Sequence, residues 1–399
     1  VSVKSLKIGL VTGEYPPMQG GVGDFSRELA LALAALGHDV HVITHISIRS
    51  GDFSRPLPTT DAQAVTTSVN VHPIIRAWNL QSLISIRRLA RALSLDLINI
   101  QYQAAAYGMT PPIHFLPKAA GLPSVVTFHD LRVPYLFPKA GRLRRDAVTY
   151  LARSASGVIV TDPADEAELR RRGVERVTQI PIGSNIAPSP PPDYDRARWR
   201  ARLGVGPGEF LLGYFGFLNP SKGGDTLIGA LAGLAARKLP VKLVLIGGRA
   251  GTSDARVNEA FGEDIDKLIA DYSLAGRILR TGFVDSAQVS AHLLACDALV
   301  LPYRDGVSFR RGTFMAALIH GCAIITTEPA SPLPELRDGV NIRLVPPDSA
   351  SAIVLAVSEL LEAPQLRARL GEGARELAGQ FTWDKIAKRT AEFFERVRG

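Results

Sequence analysis

Two stretches of the sequence place cations where helix physics disfavours them. In "DGVSFRRGTFMAALIHG", Asp305 to Gly321, the apolar run Thr313–Ile319 reads as a short buried helix stopped by His320-Gly321. Arg310 and Arg311 precede its first turn, where positive charge opposes the helix macrodipole. In "GYFGFLNPSKGGDTLIGALAGL", 213–234, Lys222 stands in the same relation to Gly223-Gly224 and the helix that follows. A single case could be chance. Two, each in a loop after a strand, imply an anion such as a diphosphate that both loops share.

Two further loops carry candidates. "GEYPPMQGGVGDFSRELA", 13–30, puts Gly20, Gly21 and Gly23 between a strand and a helix. That pattern serves a phosphate cradle or a plain tight turn about equally, since it is neither GxGxxG nor a Walker sequence. Pro16-Pro17 stiffens the preceding loop and is expected to hold Glu14, Tyr15 and Gln19 over a cleft. "VVTFHD" ends in His129-Asp130 where a buried strand runs out. A lone histidine is often structural, but a strand's carboxyl end is where α/β proteins place ligands. His38, His41 and His45 straddle a turn and a strand without an added acid or thiol, and read as structural.

The elements that must position these loops alternate twice. "LKIGLVT" (6–12), "VHVIT" (40–44), "LINIQ" (97–101), "SVVTF" (124–128) and "GVIVT" (157–161) are short β-branched runs of a parallel sheet covered on both faces. Between the first two, Asp24 can cap a helix that buries Phe25, Leu29, Ala32, Leu33 and Leu36 and ends at Gly37. The proline cluster in 186–209 reads as a linker. Beyond it come "FLLGYFG" (210–216), a helix near 224–236, "VKLVLIG" (241–247), a helix near 255–272, "ILRTGF" (278–283), "ALVLP" (298–302) and "AIITT" (323–327). The expected organisation is a first doubly wound domain over 1–185, a linker over 186–209, a second over 210–375, and a helix in 376–399 that returns to the first.

Composition limits the partners. The 399 residues are 46% hydrophobic and 21% charged, as in an ordinary globular protein, and net charge is +8. The pI near 9.6 favours anionic ligands or surfaces. No recognition-helix pattern, RNP-like sequence or zinc spacing accompanies the charge, so nucleic acid is not expected as a partner. Cys296 and Cys322 lack metal-type spacing, and the first residues hold too short an apolar core for a signal peptide. A cytoplasmic location is expected.

As a set, these motifs resemble a retaining glycosyltransferase of the GT-B fold, similar to glycosyltransferase family 4. Gly20-Gly21 match the family's loop after strand one, and Thr127, His129 and Asp130 its T-x-H-D. Gly216, Lys222 and Gly223 match its G-R-L-x-x-x-K-G turn, followed in the family's order by "KLVLIGG", "TGFVD", "ACDALVLPYRDG" and "HGCAIITT". The resemblance implies two Rossmann-like domains facing each other across a cleft. It also implies a nucleotide diphosphate sugar donor of UDP or GDP type, a hydroxyl acceptor, and neither cofactor nor metal.

Residue by residue, the resemblance and the loops together assign the donor diphosphate to Gly20, Gly21, Lys222, Ser308, Arg310, Arg311, Gly312 and Thr313. They assign the nucleoside to Gly282, Phe283 and Val284, and the donor sugar or ribose to Asp305. Glu14, Tyr15, Gln19, Gln101 and Tyr102 fall on the acceptor side. His129 and Lys222 are the catalytic candidates, His129 as an orienting group for the donor sugar or phosphate.

Two departures stand out. Phe217 replaces the family's arginine. Counting back from Gly321, the family's paired glutamates fall on Ser308 and Ala316; counting from Asp305-Gly306, the second falls on Thr313. Two readings of other classes therefore stay open, a nucleotide-sugar epimerase of the same fold and a non-catalytic binding subunit. The basic segment 132–150, with Arg132, Lys139, Arg142, Arg144 and Arg145 among apolar residues, reads either as a peripheral contact with an anionic membrane or as a solvated loop.

Overall fold

The computed structural model describes residues 5–18, 20–48, 69–131, 142–248 and 255–399. The chain forms two compact units, one comprising 1–183 and 382–399, the other 184–381.

The first unit holds a seven-stranded parallel sheet made of β1 (Lys7–Thr12), β2 (Asp39–His45), β3 (Asn70–Ile75), β4 (Leu97–Tyr102), β5 (Ser124–Phe128), β6 (Gly157–Val160) and β7 (Val177–Gln179). Their order is β3-β2-β1-β4-β5-β6-β7, so the winding reverses between β1 and β4. The helices are α1 (Gly21–Ala35), α2 (Leu80–Ala92), α3 (Leu116–Ala120), α4 (Arg142–Ser154) and α5 (Pro163–Arg171). On one face α1 buries Phe25, Leu29 and Leu33 with Leu10, Val42 and Ile159. On the other, Leu83, Ile86, Leu116, Leu151 and Leu169 pack with Ile98, Ile100, Val126 and Val160. Apolar side chains on both faces explain why these strands read as unbroken hydrophobic runs.

The second unit repeats the plan with β8 (Phe210–Phe215), β9 (Val241–Ile246), β10 (Ile278–Gly282), β11 (Ala298–Leu301), β12 (Ile324–Thr327) and β13 (Arg343–Val345). The order is β10-β9-β8-β11-β12-β13, and the reversal lies between β8 and β11. Its helices are α6 (Arg196–Arg202), α7 (Gly224–Ala236), α8 (Ala255–Asp271), α9 (Ser286–Ala295), α10 (Gly312–Ile319), α11 (Ala350–Glu362) and α12 (Pro364–Ala378). The chain's last helix, α13 (Trp383–Arg398), belongs to the first unit. There Phe393, Phe394 and Val397 join the core under α1, and Arg389 donates to the Gln179 carbonyl at 2.6 Å.

Three sequence expectations change. Helix α1 starts at Gly21, so Asp24 lies within its first turn rather than at the cap, and Leu36, at the C-cap, is exposed rather than buried. The segment read as a linker carries α6, which has no buried residue and therefore no periodic apolar signal. It is held instead by polar contacts: the Asp195 cap, Arg200 on Asp297 at 2.9 Å, and Trp199 Nε1 donating to His292 at 3.1 Å. Strands β3, β7 and β13 were not anticipated. All three lie at sheet edges, two span only three residues, and β3 contains Pro73, which an edge tolerates.

Candidate functional site

In an open parallel sheet, ligands collect beyond the strands' carboxyl ends where the winding reverses. In the second unit that point lies between β8 and β11, which pair directly, Ala298 with Leu212 and Leu299 with Gly213. The loop leaving β8 carries Lys222 and the loop leaving β11 carries Arg310 and Arg311. The topology thus brings together two cationic loops that lie some ninety positions apart in the sequence.

Gly223 makes the first loop possible. Its φ is +64, and a Cβ there would come within 2.1 Å of the Pro302 carbonyl, so the turn is pressed onto the end of β11. Arg304 clamps it from the other side, donating to the Pro220 carbonyl at 3.1 Å and to Asp348 at 2.7 Å, and pairing with Asp225. Lys222 is thereby half-buried, its Nζ 6.0 Å from the centre of the Phe217 ring. The residue in place of the family's arginine thus faces the lysine. Lys222 makes no ion pair or hydrogen bond among the described residues. Burial, reinforced by the Arg311 charge, brings it down to about 8.

Helix α10 begins at Gly312, with Arg311 at its N-cap in extended backbone and no side-chain cap. Arg311 stacks on Tyr303, 4.8 Å from the ring centre, and pairs with Asp305. The Tyr303 hydroxyl in turn meets Thr313 Oγ1 at 2.7 Å. The Nε of Arg311 and the Oγ of Ser308 are buried with no hydrogen-bond partner. Arg310 is half-buried. Neither α7 nor α10 has a side-chain cap, whereas α6, α9 and α11 are capped by Asp195, Asp285 and Ser349. α12 is uncapped as well, so open amides are not peculiar to α7 and α10; there, however, they stand beside cations, an arrangement that suits an incoming anion. Asp305, expected on the sugar or ribose, is engaged by Arg311 instead. Gly282, Phe283 and Val284 follow β10, and the Phe283 ring is 69% exposed.

The first unit uses its Gly-rich turn differently. Gly20, expected at the diphosphate, stands over the Glu14 carboxyl, and a Cβ on it would fall 1.9 Å from Glu14 Oε2. Glu14 accepts a hydrogen bond from the Gly23 N–H, while burial, with a smaller contribution from Asp24, raises its pKa. The N-terminus of α1 thus already holds a carboxyl group of the chain itself. That corrects the assignment of Gly20 to a donor anion and of Glu14 to an acceptor-facing role; Gly21 is exposed, with nothing within 4 Å of a Cβ built on it. Tyr15 and Tyr102 are 2% and 1% exposed and Gln101 is fully buried, so none of them can face an acceptor. Gln19 lies outside the described residues.

His129 follows β5, its ring edge-on to Phe25 at 4.7 Å and its Nε2 2.9 Å from Gln101 Oε1. Burial lowers its pKa to about 4, so it is neutral near pH 7. Behind Gln101 lies Asn99, also fully buried. The sequence reading missed Asn99; an amide alternating with another amide inside an otherwise apolar strand was the available signal.

With this geometry in hand, similarity to known proteins is informative. Residues 20–183 match the "Glycosyl transferase 4-like domain" and residues 195–377 "Glycosyl transferases group 1". The chain is 26% identical to the phosphatidyl-myo-inositol mannosyltransferase of Mycolicibacterium smegmatis, over 99% of this chain and 95% of that one. It is 24% identical to a D-inositol 3-phosphate glycosyltransferase of Arthrobacter, over 94% and 90%. Among solved structures, Anabaena HepE in complex with UDP and glucose superimposes with a TM-score of 0.72 at 22% identity, covering 97% and 98% of the two chains. Sucrose-phosphate synthase of Thermosynechococcus elongatus gives 0.75 at 22%, covering 98% of each. Two doubly wound units with this strand order, matched across nearly their whole length, make the chain a GT-B glycosyltransferase belonging to group 1, with a family-4-like N-terminal domain.

Proposed function

We propose that the chain moves a sugar from a nucleotide diphosphate sugar of UDP or GDP type to a hydroxyl acceptor, with retention at the anomeric carbon and without a metal ion. The observation that carries this reading is Lys222. It is a half-buried cation with no carboxylate partner, beside Arg311 and two uncapped helix N-termini. A protein bears the cost of holding such a charge where a ligand will neutralise it. HepE, a fold neighbour, was crystallised with UDP and glucose, which supports a nucleotide sugar as donor.

In this reading the bond between the anomeric carbon and the phosphate oxygen breaks, and negative charge develops on the departing diphosphate. Lys222, Arg310, Arg311 and the amides of α7 and α10 strengthen their hold as it does, lowering the barrier. The acceptor oxygen attacks the face the phosphate leaves, and its proton passes to a phosphate oxygen. Lys222, Arg310 and Arg311, with Asp305 paired to Arg311, leave net positive charge of the kind a divalent ion would bring, which supports metal independence. Phe283, exposed beyond β10, stacks on the base. The relatives named for phosphatidyl-myo-inositol and D-inositol 3-phosphate support a hydroxyl-rich acceptor.

The membrane contact read from 132–150 is part of the proposal. Residues 132–141 lie outside the described residues, and α4 carries Arg145 and Arg153 onward from there. No described helix is long and apolar enough to cross a membrane.

The deciding experiment is calorimetric titration of wild type, Lys222→Ala and Arg311→Ala with UDP, GDP and their sugars. A product assay then reports anomeric configuration with EDTA present. Binding to wild type that both variants lose is the expected result. Equal binding by all three proteins would move the donor site elsewhere, and conversion of a nucleotide sugar with no acceptor present would make the protein an epimerase.

A further inference from the structure

Asn99, Gln101 and His129 form a hydrogen-bond relay whose direction can be deduced. Asn99 and Gln101 alternate on β4 and so project from the same face of the sheet, next to β5, with Asn99 in register with Val125 and Gln101 with Thr127. Asn99 Nδ2 reaches the Val125 carbonyl at 3.3 Å and Thr127 Oγ1 at 2.9 Å. A backbone carbonyl can only accept, so that end of Asn99 must be its amino group. The other end, Oδ1, is then an acceptor and takes a hydrogen bond from Gln101 Nε2. That leaves Gln101 Oε1 facing His129 Nε2, and since it too can only accept, the proton must be on Nε2. The first three members, Asn99, Gln101 and Thr127, are 0%, 0% and 1% exposed. No water competes for their hydrogen bonds, and reversing one amide would break two bonds at once.

We propose that Asn99 and Gln101 are positioning residues that lock His129 in its Nε2–H tautomer, leaving Nδ1 as a bare acceptor able to take a hydrogen bond from a substrate hydroxyl but not to bind a phosphate. The inference rests on the proposed function and sharpens it, because His129 was open to either the sugar or the phosphate. A neutral ring with one acceptor has nothing to offer an anion. Its partner is a hydroxyl group of the donor sugar or the acceptor.

The test is nitrogen-15 NMR of histidine-labelled protein, with Gln101→Met and Gln101→Glu beside wild type. In wild type the expected pattern is a protonated Nε2 and a bare Nδ1, unchanged between pH 6 and 8. In Gln101→Met the ring should show averaged or reversed tautomers, and kcat/KM should fall about tenfold, the loss expected for one hydrogen bond. Affinity for UDP or GDP without sugar should stay unchanged. Gln101→Glu keeps the acceptor at Nε2 and should restore the tautomer or fully protonate the ring. A bare Nε2 in wild type would overturn the relay, as would a locked Nε2–H in Gln101→Met. The wild-type spectrum decides even if a variant fails to fold. Failure of nucleotide binding would instead strike the proposed function and leave the tautomer result standing.

Discussion

In the first unit, the turn from β1 to α1 closes over the Glu14 carboxyl, which accepts from Gly23 beneath Gly20. In the second, the turn from β8 to α7 closes with Lys222 at its tip and no acid bonded to it. Both are a strand, a glycine-rich turn and a helix at the sheet's winding reversal, and in sequence both look like phosphate loops. One supplies its own counter-charge to the helix dipole, and the other leaves that charge to a ligand. Shared supersecondary structure therefore fixes where a ligand could bind. The side chain folded back on the turn decides whether it does.

The contrast can be broken experimentally, and the largest effect is expected at Lys222. Lys222→Ala should lower kcat/KM by about 100- to 1000-fold, as for loss of one group that stabilises the leaving charge. The ligand-free variant should melt no lower than wild type, because the lysine is held there at a cost. A lowered melting temperature with activity intact would make Lys222 structural. The glycines should part in the same way. Gly223→Ala sets a Cβ 2.1 Å from a carbonyl at positive φ and should cost about 3 kcal/mol or more in denaturant unfolding. Gly21→Ala meets nothing within 4 Å and should change stability by less than about 1 kcal/mol.

The pH dependence separates the turns further. With Lys222 at about 8, affinity for a nucleoside diphosphate should be level below that pH and fall about tenfold per unit above it, a slope that Lys222→Arg should remove. For stability the sign is opposite. Between about 8 and the ordinary lysine value of 10.5 the unfolded chain binds the extra proton, so ligand-free protein gains stability as pH rises across that interval.

Glu14 should show the smallest effect. Its raised pKa means the folded state holds the proton longer, so stability falls as pH rises from 4.5 through the folded value. Glu14→Gln keeps an acceptor for Gly23 and should remove that slope in pH-resolved melting, with nucleotide affinity unaltered. A change in nucleotide affinity would restore the first turn to the donor site.

The bounds of α7 and the extent of α10 could be read almost to the residue, because glycines, cap positions and unbroken apolar runs act locally along the chain. Interior strands were legible for the same reason. Edge strands such as β7 and β13 were not: three residues on a sheet's margin leave no pattern above that of a loop. Arg310 and Arg311 were conspicuous because they violate a local rule. The engagement of Arg311 with Asp305 and Tyr303 was not, since it depends on how the loop after β11 doubles back.

The sequence by itself determined the alternation of elements, the two doubly wound units and the cations at α7 and α10, because propensity, periodicity and helix termini are properties of neighbouring residues. Only the tertiary structure decided that Lys222 lies beside Arg311, that Glu14 fills the space under Gly20, and that Gln101 is fully buried behind His129 rather than facing an acceptor. Those outcomes depend on which strands become neighbours at the two winding reversals. Strand order is set by long-range packing that no single window of sequence contains.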